Sequence, residues 1–142
     1  VIINDNGWQS HPFIMRKEGI TMNQQEIFTY IQKQYPTHPD TITKSGYPVT
    51  IFKNPRTATP YAIFYQPAER TTFMEVQAEP DMIGNYIEMY HLAPAKYMDK
   101  KHWLAVPLDG SVSDSKVLDL LDMSYDLVDG QAEADGETGA DR

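Results

Sequence analysis

The sequence predicts an α+β fold: an antiparallel sheet of about four to five strands with helices packed on one face, in the order α-β-β-β-α-β-α. Three observations carry this. Three β-rich runs, VTIFK, YAIFY and TFMEVQ, follow one another across short connections. Stretches of helical periodicity precede them, interrupt them and close the chain. The 142 residues suit a single domain that buries enough surface to stand without metal or disulfide staples.

The first helix is marked by Asn23 and Glu26, which have capping-box spacing: a side-chain oxygen to accept a backbone N–H and a carboxylate to reach back. Ile27, Phe28, Ile31 and Tyr35 recur at helical spacing, and Pro36 with Pro39 ends the element. Ser45-Gly46 reads as a turn. Strands follow at Val49 to Lys53, Tyr61 to Tyr65 and Thr72 to Gln77, joined by NPRTATP and QPAER, short connections that favour an antiparallel meander. Pro80, where a missing N–H costs nothing, and Asp81, at the positive end of the dipole, open a second helix with an Ile83, Tyr86, Ile87, Tyr90 stripe. A loop from His91 to Lys101 leads into HWLAVPL, whose alternation puts Trp103, Ala105 and Pro107 on one face and Trp103 in the core. The last helix, capped by Ser113, runs from about Asp114 to Val128 on an apolar face of Val117, Leu121, Tyr125 and Val128, and Asp129-Gly130 is expected to stop it.

Residues 21–128 therefore form the folded domain. Residues 1–20 are an N-terminal extension without sustained periodicity. The chain opens on Val1, which reads as a processed product or a fragment, with Met15 and Met22 as candidate starts. Residues 129–142 hold five acids, one base and no large apolar side chain, so nothing in them offsets the entropy of ordering, and a disordered acidic tail is expected. That tail accounts for −4 of the net charge of −8. No segment has the form of a secretory signal or a membrane span, and a cytoplasmic protein is expected.

The absence of cysteine excludes disulfides, thiolate metal sites and cysteine nucleophiles. The eight glycines spell no phosphate-cradling loop, no G-x-S-x-G occurs, and the four histidines, His11, His38, His91 and His102, include no i, i+4 pair. His38 and His91 read as loop residues. Asp119 and Asp122 fall opposite the apolar stripe of the last helix, where solvent is their expected partner. No catalytic residue, metal or cofactor is expected.

One stretch has the ingredients of a contact surface. In PAKYMDKKHWLAVPLDG, Lys96, Lys100 and Lys101 surround Tyr97 and lead into His102 and Trp103, a combination that offers phosphate contact and base stacking. With Lys53, Arg56 and Arg70 on or beside the hairpins, these residues make a candidate nucleic-acid surface. Residues 44–101 carry seven bases against six acids, a net of +1, so weak and salt-dependent binding is expected. A module that contacts another protein or a small ligand is the alternative.

PAKYMDKKHWLAVPLDGSVSD, followed by a helix ending LLDMSYDLV, resembles the C-terminal half of the MmcQ/YjbR-like proteins, with His102, Trp103, Ser124 and Tyr125 at motif positions. The likeness extends over about residues 22–128. It implies a CyaY-like α+β domain and a DNA-binding role resting on a double-wing arrangement of β-hairpins. Ala95, Lys96 and Tyr97 stand where the family favours Gly, Tyr and His, and Asp99 replaces an Asn. Gln77 occupies the position of a family lysine, and Glu75 adds a negative charge to that strand.

Overall fold

The computed structural model describes residues 23–35, 37–67 and 71–138. The proposed N-terminal extension, Pro36, Arg70 and residues 139–142 lie outside the described residues. The first helix, α1 (Gln24–Gln34), begins where its cap predicts: the Asn23 side chain accepts the Glu26 backbone N–H at 2.9 Å, and the Glu26 carboxylate accepts that of Asn23 at 3.1 Å.

Four strands follow: β1 (Pro39–Lys44), β2 (Tyr47–Lys53), β3 (Pro60–Tyr65) and β4 (Phe73–Gln77). Then come α2 (Pro80–Tyr90), β5 (Ala93–Pro94), β6 (Trp103–Pro107) and α3 (Asp114–Thr138). The strands form one sheet in the order β1-β2-β3-β4-β6-β5, every neighbouring pair antiparallel. The α+β architecture is as expected, with six strands among the described residues rather than four or five. The additional ones are β1, whose residues are all exposed and so lack an apolar alternation, and β5, which has only two residues.

Strand alternation divides the sheet into two faces. Phe52, Ala62, Phe64, Met74, Val76, Leu104 and Val106 meet α1, α2 and α3 in the main core, through Ile27 and Ile31 of α1, Ile83 of α2, and Val117, Leu118 and Leu121 of α3. The opposite face carries a smaller cluster, Val49, Ile63 and Tyr65, flanked by Ile51 and Phe73, and among the described residues no helix covers it. Tyr97 and Met98, from the loop between β5 and β6, pack onto that cluster instead. This loop sets the shape of the helix-free face.

Two expectations for the last helix need correction. Ser113 caps it as expected, its hydroxyl accepting the Lys116 N–H at 3.2 Å. The helix does not stop at Asp129-Gly130, however, and continues to Thr138, so the acidic segment is helical over residues 131–138. A single Gly costs a helix only about 1 kcal/mol, and the Gln, Ala and Glu that follow are good helix formers. Asp122, in turn, does not simply face solvent. It is half-buried and accepts the Tyr30 hydroxyl at 2.8 Å and the Tyr35 hydroxyl at 2.5 Å, tying α3 to α1.

Candidate functional site

The loop on the helix-free face is held by one side chain. Glu75, in the middle of β4, is fully buried. Its Oε2 accepts the Tyr65 hydroxyl at 2.5 Å, the Lys96 backbone N–H at 2.6 Å and that of Tyr97 at 3.1 Å, while Oε1 accepts the Met98 N–H at 3.1 Å. Three successive backbone donors thus converge on a carboxylate, the usual way a buried acid is compensated. Glu75, read from the sequence as a further acid on this strand, lies buried beneath the loop with both carboxylate oxygens engaged as acceptors.

The anchored loop presents cations. The Tyr97 ring stands edge-on against Tyr65, with centroids 4.5 Å apart, and the ammonium groups of Lys44 and Lys96 each lie 5.6 Å from its centroid. Lys100 and Lys101 follow, both exposed. Asp99 closes the loop by accepting the Lys101 N–H at 3.0 Å and lying 2.5 Å from His102 Nδ1. The hydrogen bond with His102, then that from Lys101, holds the Asp99 carboxyl below the usual carboxylate range.

The other candidate residues do not join this group. Lys53 pairs with Asp40 at 3.6 Å. Arg56 is drawn to α3, where its Nη2 lies 2.7 Å from Asp129 Oδ1, a carboxylate that also accepts the Asn54 side chain at 3.0 Å. The motif residues serve the fold. Trp103 is buried, and the Ser124 hydroxyl donates to the Tyr61 carbonyl at 2.6 Å while accepting the Gln77 N–H at 2.9 Å. Tyr125 stacks on Tyr35 with centroids 3.9 Å apart. The sequence reading missed Lys44 as a neighbour of Tyr97, because hairpin and loop are fifty residues apart; an acid in an otherwise apolar strand was the available signal for Glu75.

The acids gather elsewhere. Asp81 and Glu88 lie on α2 and Asp114, Asp119, Asp122, Asp126 and Asp129 on α3, against Lys116 among the described side chains of these two helices. A groove of about 530 Å³ there is lined by Glu79, Asp119, Asp122, Met123, Asp126 and Leu127, which suits no anion. Among the described residues, no group of three His, Asp or Glu is placed to hold a metal ion, and no helix is long and apolar enough to cross a membrane.

Comparison with known proteins agrees with the resemblance. The family model YjbR matches residues 43–127. A crystal structure of a protein from Pseudomonas syringae is similar with a TM-score of 0.68 and 27% identity, over 75% of this chain and 99% of that one. A solution NMR structure from the same organism gives 0.63 and 27%, over 75% and 93%. A Deinococcus radiodurans protein with a DUF419 domain gives 0.63 at 19% identity, over 76% and 79%, a likeness of fold alone. No curated protein matches the chain.

Proposed function

We propose that this chain, which belongs to the YjbR family, is a non-enzymatic binding module that contacts DNA weakly and without sequence preference through its helix-free face. The observation that carries the reading is the Tyr97 ring flanked by the Lys44 and Lys96 ammonium groups, with Lys100 and Lys101 on the same anchored loop. Lysines supply phosphate contact, and an aromatic ring offers a surface on which an unpaired base stacks.

The overall charge of −8 does not oppose this contact as strongly as its size implies. Half belongs to residues 129–142, and much of the remainder lies on α2 and α3, beyond the sheet. A helix is about 10 Å across, and charges are screened over about 10 Å at 0.1 M salt. A phosphate approaching the loop therefore meets the lysines before the helical acids.

Fluorescence anisotropy with labelled single-stranded and duplex oligonucleotides tests the reading. Four lysine–phosphate contacts give a log–log salt slope of about −3 to −4, so affinity is expected to fall by about three orders of magnitude between roughly 25 and 200 mM salt. Lys96→Glu/Lys100→Glu is expected to abolish binding at the lower salt. No binding by the wild type, or equal binding by the variant, overturns the reading. The alternative is a protein-contact face, supported by the exposure of Ile42 and Tyr47 on the β1–β2 hairpin, and absence of any DNA contact would favour it.

A further inference from the structure

The two edges of the sheet differ. At one end β5 is only two residues long and ends on Pro94. At the other, among the described residues, β1 pairs with β2 alone, and all six of its residues are exposed. An edge of that length carries unpaired backbone groups ready to template another strand. We propose that β1 is a self-association edge, pairing antiparallel with β1 of a second copy of this chain about a two-fold axis through Ile42.

The hydrogen-bonding direction follows from the turn. Ser45 and Gly46 both have left-handed backbones, with φ of 53° and 82°, and close a two-residue hairpin whose flanking pair is Lys44 and Tyr47. In such a hairpin the flanking residues exchange hydrogen bonds with each other. The β1–β2 register runs without a shift, so Lys44, Ile42 and Asp40 direct their backbone groups to β2. Thr41 and Thr43 direct theirs outward to the free edge. Pro39 also faces outward but has no N–H to give, which ends the usable ladder.

The side chains select one register. With Ile42 opposite its own copy, Asp40 faces Lys44 of the second chain and Lys44 faces its Asp40, all on the same face of the sheet. Thr41 faces Thr43 in both directions, and these are the outward-bonding positions. Shifting by two residues in one direction spends a position on Pro39 and sets Asp40 against Ile42; shifting in the other sets Ile42 against Lys44. The register centred on Ile42 alone matches charge with charge and covers an apolar side chain that is 44% exposed. In an isologous contact the strand must complement itself, and PDTITK does so.

Within one chain Asp40 lies 3.6 Å from Lys53, and Lys44 lies beside the Tyr97 ring. Both are surface contacts, and the lysine side chains are long enough to turn to a new partner. A short strand edge is a small interface, so the dimer is expected to be weak and to form only at high protein concentration. The pairing makes one continuous twelve-stranded sheet with both Tyr97 loops on the same face, and it does not depend on DNA binding.

Sedimentation equilibrium of the full chain over about 10 μM to 1 mM tests the proposal, with Asp40→Lys and Lys44→Asp as variants. Each variant sets like charges opposite each other twice, and dissociation constants are expected to rise at least ~10-fold. Asp40→Lys mixed with Lys44→Asp is expected to form a heterodimer at least as readily as the wild type dimerises, because every opposed pair is then complementary. That recovery cannot come from a misfolded variant. A wild-type chain that stays monomeric throughout, a dimer indifferent to both substitutions, or a mixture that fails to associate overturns the proposal.

Discussion

The Glu75 carboxylate holds the backbone N–H of Lys96 at 2.6 Å, so a side chain from the middle of β4 fixes the position of a loop twenty-one residues further along. The same carboxylate takes the next two N–H groups and the Tyr65 hydroxyl. The basic loop is therefore pre-positioned on the helix-free face by a buried anchor.

Glu75→Ala leaves these donors without an acceptor in a buried site. A loss of about 3–5 kcal/mol is expected, in the range found when one partner of a buried charged network is removed. Urea unfolding measures it, and amide exchange at Lys96, Tyr97 and Met98 is expected to accelerate more than exchange in α1. An unchanged midpoint contradicts the anchoring role.

Ser124 joins α3 to two strands by donating to the Tyr61 carbonyl and accepting from Gln77. Ser124→Ala is expected to cost about 1–3 kcal/mol, because the Gln77 N–H loses its acceptor. Thermal melting reads this directly. DNA contact by the folded variant is expected to match the wild type, since the residue lies between α3 and the sheet.

Arg56 and Lys53 provide the contrast with the loop lysines. Arg56 is engaged by Asp129 and Lys53 by Asp40, and both pairs are largely exposed, so each substitution to Ala is expected to cost less than about 1 kcal/mol. Neither is expected to change DNA affinity more than about twofold, whereas Lys96→Ala or Lys100→Ala is expected to remove one phosphate contact and reduce the salt slope by about 1. Equal losses at all four positions would contradict the division.

Stability is expected to fail at high pH through the tyrosines. Burial, together with the neighbouring Asp122, raises Tyr30 and Tyr35 well above the ordinary tyrosine range; burial and Glu75 do the same for Tyr65. In the unfolded chain these groups ionise near pH 10. Above that pH the unfolded state releases protons that the folded state retains, so stability is full below about pH 10 and falls as pH rises further. Tyrosinate absorbance and far-ultraviolet circular dichroism followed together are expected to show these rings ionising as the fold is lost. Ionisation of all the tyrosines near pH 10 in an intact fold would contradict the burial argument. At the acid end the sign reverses. Asp99, held down by His102 and Lys101, and Asp129, held down by Asn54 and Arg56, give support that is present above the ordinary aspartate value and lost as pH falls through their lowered ones.

Local signals in the sequence account for much of this fold. The Asn23–Glu26 box, Pro80 at the start of α2 and Ser113 before α3 are short-range devices, and each lies where its spacing predicts. Strand β1 was not legible because an exposed edge strand needs no apolar alternation, and PDTITK shows none. The end of α3 was misread because one Gly is a weak stop without a left-handed cap that closes the helix. At the candidate site, Lys96, Lys100 and Lys101 were legible as a basic aromatic loop. The parts of the site that join distant segments were not: Glu75 beneath the loop and Lys44 across Tyr97 depend on how strands align, which no local pattern encodes.

On the proposed reading, DNA is expected to meet the helix-free face at the Lys44–Tyr97–Lys96 cluster. A ¹⁵N–¹H correlation titration of the chain with a short oligonucleotide at low salt tests it residue by residue. The expected result is shifts concentrated at residues 44–47 and 96–102, reversed by added salt, with α2 and α3 unmoved. Shifts centred on the acidic groove beside Asp119 and Asp126, or no shifts at all, would contradict it.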